Sequence, residues 1–283
     1  MSKVTVLILS FNEGDNLIRS VKSVLEQKVN FDFETLVIDN ASEDGSIEKL
    51  KLVYPNLRIL KLDKNYGTAA YNRALPINSN YIYFTSGDKY LDVNCLQESV
   101  NAIQNPTEKS LGYGLIAPLI LRSDNGEIDV SGSWVKPWFY AGKNTNKIEE
   151  GLHEQPYFGM GLISQGALQA IGGNIYRDDY FLFNEDVELG FRLKEAGYKV
   201  GLCTKAKALH EVELRSSRFF TEEQLLYFSE RNAYRTFHLH CKGLDYWLRL
   251  PLVLISRCIK IGFDLIRFKP NRAKARIEGL LES

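Results

Sequence analysis

The 283 residues carry no charge imbalance, since 35 Lys and Arg stand against 35 Asp and Glu. Nothing in that balance selects for nucleic acid. The four cysteines, Cys95, Cys203, Cys241 and Cys258, form no CxxC pair. That spacing offers no cysteine metal site and fits a reducing compartment. There is no internal repeat and no low-complexity linker. No stretch is long enough and free enough of charge to span a bilayer. The opening MSKVTVLILSFNEGDN is interrupted too early for a secretion signal. The expected location is the cytoplasm.

What is present suits an ordinary globular core, 45% hydrophobic and 25% charged. The first hundred residues alternate short β-rich runs with helical patterns. VTVLILS is continuously apolar, as expected of a strand buried on both faces. NLIRSVKSVLEQ sets Leu17, Val21, Val24 and Leu25 at helical spacing. ETLVIDN, LRILKL and YIYFTSGD read as three more strands, with SIEKLKLVY and GTAAYNRAL as the helices between them. This alternation predicts an α/β fold with a doubly wound, mostly parallel, Rossmann-like sheet. About Pro118 to Gln155 the chain is rich in Gly, Ser, Asn and Trp, which predicts loops or short antiparallel strands over a cleft. LISQGALQAIGG follows as a short helix closed by Gly172 and Gly173. NEDVELGFRLKEAGY predicts a helix capped at Asn184 and stopped at Gly197, YKVGLCT a strand, and Thr221 the start of a long helix.

In sheets of this kind ligands bind outside the carboxyl ends of the strands. Those ends carry Ser10, Asn12 and Glu13, then Asp39 and Asn40, then Asn65, Gly67 and Asn72, then Ser86, Gly87 and Asp88. With Asp39 and Asp88 the cleft is acidic, so a diphosphate fits if a divalent cation sits between them. Farther on, the aromatic run of YFLFNEDVELGF leads into Asn184, Glu185, Asp186 and Glu188. One reading is helix capping by Asn184, with acids that suit the helix dipole and Glu188 paired to Arg192 one turn on. The other is a carboxylate held in a partly dry cleft to accept a proton.

Five segments stand in the order found in glycosyltransferase family 2. They are VTVLILSFNEGDNLIRSVKSVLEQ, ETLVIDNASEDGS, NYGTAAYNRAL, YIYFTSGD and FLFNEDVELGFRLKEAGYKV. Over roughly residues 3 to 240 the chain resembles the rhamnosyltransferase-like branch of that family. The resemblance implies a GT-A fold, a nucleotide-diphosphosugar donor, a divalent cation (Mg2+ or Mn2+) and inversion at the anomeric carbon. By that resemblance Asp39 accepts a hydrogen bond from a pyrimidine ring, which points to a UDP- or dTDP-linked donor. Asp88 is the last acid of the DxD metal motif. Asp186 is the catalytic base, held by the aromatic run and kept ionised by the helix start. His210, in ALHEVELRSS, lies near the metal and diphosphate. The chain departs from the pattern at SGD. Ser86 replaces the first acid and Lys89 follows Asp88, which leaves one carboxylate for the cation.

The expected organisation is a catalytic domain over about 1–240, with a nucleotide-binding half to about 117 and an acceptor half over about 118–240. A basic amphipathic helical tail follows over 241–283. In it Arg257, Lys260, Asp264, Arg267, Asn271 and Lys274 share one face, and Val253, Leu254, Ile255, Ile259, Ile261, Phe263 and Ile266 share the other. That pattern suits peripheral attachment to the anionic inner face of the cell membrane. It also suits packing on the domain or in a homodimer. The expected function is an inverting hexosyl- or rhamnosyltransferase acting on a hydroxyl of a lipid-linked glycan in cell-surface polysaccharide synthesis. A sugar-nucleotide pyrophosphorylase would share the topology, but it needs a Gly-rich, Arg-containing loop where this chain has SFNEGDN. A non-catalytic sugar-nucleotide-binding scaffold is the third reading; SGD leaves it open and the intact NED speaks against it. Arg231, Asn232 and Arg235 read equally as phosphate contacts or as a solvated helix face. Trp134, Trp138, Phe139 and Tyr140 read as a sugar-stacking surface or as packing.

Overall fold

The computed structural model describes residues 3–104, 112–155, 157–211 and 219–283. Its first half is built on β1 (Lys3–Ser10), β2 (Asp32–Asp39), β3 (Arg58–Lys61) and β4 (Tyr81–Ser86), all parallel, with β1 between β2 and β4. Val4, Val6, Leu7 and Ile8 of β1 are fully buried, as an apolar run covered on both faces requires. The connecting helices α1 (Asn16–Leu25) and α2 (Ser46–Val53) turn Leu17, Val21, Val24, Ile47 and Leu50 into that core. The third connection, GTAAYNRA, is a 3-10 helix over Gly67–Ala74 rather than the α-helix its pattern suggests. Gly67 explains part of this. Its φ is +61°, and a Cβ there would lie 1.9 Å from the carbonyl oxygen of Phe181, so the segment is drawn against a neighbouring loop.

The second half extends the same sheet. Its strands are β5 (Lys89–Leu91), β6 (Tyr113–Arg122), β7 (Ile128–Val130), β8 (Ser133–Val135), β9 (Ala141–Lys143), β10 (Leu152–Glu154), β11 (Gly161–Ser164) and β12 (Lys199–His210). The order is β10-β12-β6-β11-β4-β1-β2-β3, with β5 on β12 and β7 on β6, while β8 and β9 form a separate hairpin. β11 runs antiparallel to both β4 and β6, so the sheet is mixed at its centre. β6 is buried over Tyr113–Ile120, and Pro118 sits where the β6–β12 register slips between Cys203 and Lys207. Helices α3 (Cys95–Gln104), α4 (Gln165–Ala170) and α5 (Glu185–Glu195) pack on this half.

The chain ends in α6 (Glu222–His240), α7 (Gly243–Ile266) and α8 (Pro270–Leu281). Thr221 and Gln224 cap α6 reciprocally in a capping box. The tail is two helices, broken at Phe268 (φ 56°), with Pro270 opening α8. It is also turned the other way from the free basic face that its spacing suggests. Arg257 is 2% exposed and ion-pairs with Glu230 of α6, to which Lys260 and Arg276 also bind. Asp264 is buried against Arg272 and Arg276. Arg257, Lys260 and Asp264 therefore face the protein, while Arg267, Asn271 and Lys274 stay exposed. Of the apolar residues, Leu254, Ile255, Ile259, Phe263 and Ile266 face outward, while Val253 is buried. Among the described residues no helix is long and apolar enough to cross a membrane.

Candidate active site

The strand ends meet as the topology requires. Asn40, directly after β2, donates from Nδ2 to Asn65 Oδ1 (2.8 Å) and Gly67 O (3.1 Å), and its Oδ1 accepts from the Tyr66 amide. One side chain thus holds the whole 65–67 turn. Asn12 ties the first loop to the second, accepting from Glu43 N and donating its own amide to Ser42. Asp39 is buried, and its Oδ1 accepts from Ser42 N, three residues on, at 2.9 Å. Asn72 is spent on the chain at 175–178, bonding Ile175 N, Tyr176 O and Asp178. Ser10 is fully buried, and its hydroxyl has no hydrogen-bond partner among the described residues.

At the end of β4 the SGD turn is already a charged cluster. Ser86 Oγ donates to Asp88 Oδ1 at 2.5 Å, and Lys89 Nζ lies 2.8 Å from both oxygens. His210, the last residue of β12, sets Nε2 3.1 Å from Asp88 Oδ2. Its Nδ1 is 2.8 Å from Asp129 Oδ2, and Asp129 in turn ion-pairs with Lys143. Burial alone would raise Asp88, but Lys89 and then His210 outweigh it and hold the carboxyl far below the usual range. Asp129 is likewise held low, by His210 first and by Lys143. Glu13 behaves oppositely. Burial, then the Asp88 charge, pushes it up to about 8, and its Oε2 has no hydrogen-bond partner among the described residues. Gly87 leaves just enough room for it, since a Cβ there would lie 2.9 Å from Glu13 Cγ.

The opposite wall is built by the Tyr180–Asp186 run. Tyr180 is buried, with its hydroxyl on Thr236 Oγ1 (2.9 Å) of α6. Phe181 stacks on Phe228 at 5.1 Å. Phe183 and Asn184 are consecutive left-handed residues, with φ of 68° and 60°. Such a pair is strained, and it persists because the surroundings over-determine it. The fully buried Asn232 of α6 supplies that restraint, donating from Nδ2 to Leu182 O (2.8 Å) and Phe183 O (2.9 Å). Arg231 and Arg235 hold the Asp179 carbonyl. These three residues are therefore a clamp on the loop, neither a solvated face nor phosphate ligands in this arrangement. Asn184 makes no side-chain cap; its amide reaches Ser229 O at 3.4 Å. Glu188 does pair with Arg192, which also bonds the carbonyls of Ile171, Asn174 and Ile175.

Glu185 and Asp186 emerge from this clamp into a cavity of about 540 Å³, lined also by Lys89, Lys143, His210 and Tyr176. Ser86, Lys89 and Thr68 line both this cavity and an adjoining pocket of about 250 Å³ that holds Glu13, Asn40, Asn65, Gly67 and Asp88. Burial and then the Asp186 charge push Glu185 up to about 8, and its Oε2 has no hydrogen-bond partner among the described residues. Asp186 is raised by burial, which outweighs the backbone N–H groups of the helix start. Burial thus opposes the helix start, and the two acids stand side by side, half-buried at the cavity wall, and compete for charge. Asp129, Lys143 and Glu185 were not singled out as site residues in the sequence. The first two lie in its irregular middle, and the third reads there as a helix-dipole acid.

A protein-family model matches residues 5–151, just over half of the chain, and its description is Glycosyl transferase family 2. The chain belongs to that family. Among curated proteins, the chain is 31% identical over 123 residues to the poly(ribitol-phosphate) beta-N-acetylglucosaminyltransferase TarP of Staphylococcus aureus, covering 41% of this chain and 38% of that one. It is 26% identical over 238 residues to an N-acetylglucosaminyl-diphospho-decaprenol L-rhamnosyltransferase of Mycobacterium tuberculosis, covering 72% and 75%. Its fold matches GalNAc-T7, solved with UDP, GalNAc and Mn2+, at a TM-score of 0.64 and 15% identity, over 84% of this chain and 48% of that one. It matches Staphylococcus aureus TarS 1-349 with UDP-GlcNAc at 0.58 and 14%, over 98% and 81%. The chain thus has the GT-A fold, and it spans well under half the length of TarP.

Proposed function

We propose that the chain transfers a sugar, with inversion, from a UDP- or dTDP-linked donor to a hydroxyl of a lipid-linked glycan in cell-surface polysaccharide synthesis. The observation that carries this is the division of the cavity. Raised carboxyls, Glu185 and Asp186, stand on one wall, and Lys89, Lys143 and His210 line the same space. The donor's nucleotide would lie in the adjoining pocket, with Asn40, Asn65 and Gly67 shaping its floor and Asp39 taking the pyrimidine N–H. A sugar hydroxyl is a weak nucleophile until its proton is removed. Asp186, raised by burial, is a stronger base than a solvated aspartate once ionised. Its carboxylate takes the hydroxyl proton as the oxygen attacks the anomeric carbon, and the bond to the diphosphate breaks on the opposite face. A single displacement of this kind inverts the centre. Lys89 and Lys143 offset the charge gathering on the leaving diphosphate.

Asp88 Oδ2 and His210 Nε2 converge at 3.1 Å, which fits two ligands of one cation. A mixed N/O pair suits Mn2+ at least as well as Mg2+. Among the described residues no group of three His, Cys, Asp or Glu is placed to hold a metal ion. A bound divalent cation would therefore take its remaining ligands from donor phosphates, and it would supply further charge neutralisation to the diphosphate.

The test is nucleotide release from a panel of UDP- and dTDP-sugars, with and without Mn2+, in wild type and Asp186→Asn. The substitution should lower turnover by about 10²–10⁴-fold, the worth of a general base, with donor affinity unchanged. Near-normal turnover in the variant would remove Asp186 from the mechanism.

A further inference from the structure

Helix α7 exposes what a packed helix hides. Between Arg249 and Arg267 its charged side chains are Arg257, Lys260 and Asp264, and all three turn inward to ion pairs. Outward face Leu252, Ile255, Ile259, Phe263 and Ile266, with Ile259 54% and Phe263 56% exposed. At about 1.5 Å per residue, the strip from Leu252 to Ile266 is about 21 Å long. An exposed apolar patch of this extent marks a contact surface. The helix cannot roll to hide it, because rolling would strand Arg257, Asp264 and Glu230 without partners.

The strip adjoins the catalytic cavity through the β8–β9 hairpin. Arg257 donates to the carbonyls of Trp138 and Phe139 at the hairpin tip. Lys260 sits 4.5 Å over the ring of Tyr140. Val253 packs with Phe139 and Phe237 in a small separate core. The hairpin's other end, Ser133 and Ala141 to Lys143, lines the 540 Å³ cavity. The chain has three tryptophans, Trp134, Trp138 and Trp247. All three lie on the hairpin or on α7, and all are exposed, Trp247 to 68%. Indole at a surface edge is the signature of a lipid–water interface.

We infer that the outward face of α7 and the tip of the β8–β9 hairpin together seat in the interface of an anionic bilayer, which sets the cavity's acceptor side at the headgroups. Charge decides between a bilayer and a second copy of the chain. One end of the strip carries the Arg249–Asp245 ion pair and, beyond it, exposed Lys242, a net positive charge, and the other carries exposed Arg267 and Lys269. Two copies pairing through it, parallel or antiparallel, would bring basic ends together, whereas anionic headgroups complement both ends. The acceptor's placement rests on the cavity being the transfer site. Attachment itself does not.

The test uses the full chain and vesicles of phosphatidylglycerol and phosphatidylethanolamine, with no donor or acceptor. Wild type should co-sediment, its tryptophan emission should shift to the blue, and chains brominated near the headgroups should quench it. Because the attachment is mainly apolar, it should persist at high salt. Ile255→Asp/Ile259→Asp/Phe263→Asp changes only exposed positions and should lower vesicle partitioning by at least about ten-fold. Its melting temperature and its thermal shift with UDP or dTDP should stay those of wild type. Equal sedimentation of the triple variant, or attachment abolished by salt, would overturn the inference. So would a wild-type dimer that the triple variant renders monomeric, which would make the strip a contact between copies. Loss of nucleotide binding in wild type would count against the transferase reading alone.

Discussion

Replacing Glu185 by Gln isolates the titration of one buried acid. Burial first, and the Asp186 charge second, move Glu185 from an ordinary 4.5 to about 8. A carboxyl whose folded pKa lies above its unfolded one contributes stability that is complete below about pH 4.5. That contribution drains away as pH climbs through the window to about 8, because the unfolded chain ionises while the folded one still holds its proton. At about 1.36 kcal/mol per pH unit the whole window is worth at most about 5 kcal/mol. The amide keeps the volume and has no proton to lose. Glu185→Gln should therefore differ from wild type by a constant below pH 4.5, gain on it steadily to pH 8, and then level off. At roughly 2 °C per kcal/mol for a chain of this length, the gain should approach 10 °C. Thermal unfolding of both proteins from pH 4.5 to 9 measures it. A difference that does not vary with pH would refute the buried-acid reading and leave Glu185 an ordinary ionised side chain. Glu185 is protonated at neutral pH on this account, so the variant should keep most of its transfer activity there.

Asn232→Ala removes both hydrogen bonds, to Leu182 O and Phe183 O, that hold the strained Phe183–Asn184 turn. It should cost about 2–3 kcal/mol in stability and lower kcat more than it raises the donor KM; equal effects on both would deny Asn232 a positioning role. Glu230→Gln strands Arg257 among two other cations and should destabilise by about 3–5 kcal/mol in urea unfolding, whereas a loss under 1 kcal/mol would show that the cluster is solvated. Asp39→Ala should weaken UDP and dTDP together by about ten-fold, near the worth of one hydrogen bond to a charged group. Calorimetry on both nucleotides checks this, and a wild type that binds only guanosine diphosphates would sink the assignment.

The nucleotide half was legible because each of its strands is a compact apolar run followed at once by polar residues, so strand–helix alternation placed Asn40, Asn65, Ser86 and Asp88 around one opening. The acceptor half was less so. β6 carries Pro118 and borders an irregular stretch, and neither resembles a central strand. Asp129 and Lys143 sit on three-residue strands too short to show a period, and only the fold brings them to His210. For the tail, spacing grouped Arg257, Lys260 and Asp264 on one face but could not say that this face turns inward, that Val253 is buried with it, or that Asn271 and Lys274 lie on a second helix. That choice was made by Glu230 and Glu222 on another helix. The part of ALHEVELRSS beyond Glu211 lies outside the described residues.

The loop before Asp186 is set by α6, and α6 is closed by partners at 257, 260 and 276. Chains emerge from the ribosome N-terminus first, and their domains fold as units in that order. On the proposed reading, a chain released before residue 257 carries the nucleotide pocket and α6 while Glu230 still lacks every one of its cations. It would hold nucleotide before it could use it, and competence would arrive only with residues 257–276. Stalled chains released short of Lys260 are expected to bind nucleotide without transferring sugar; if they transfer at full rate, the loop is set without the tail.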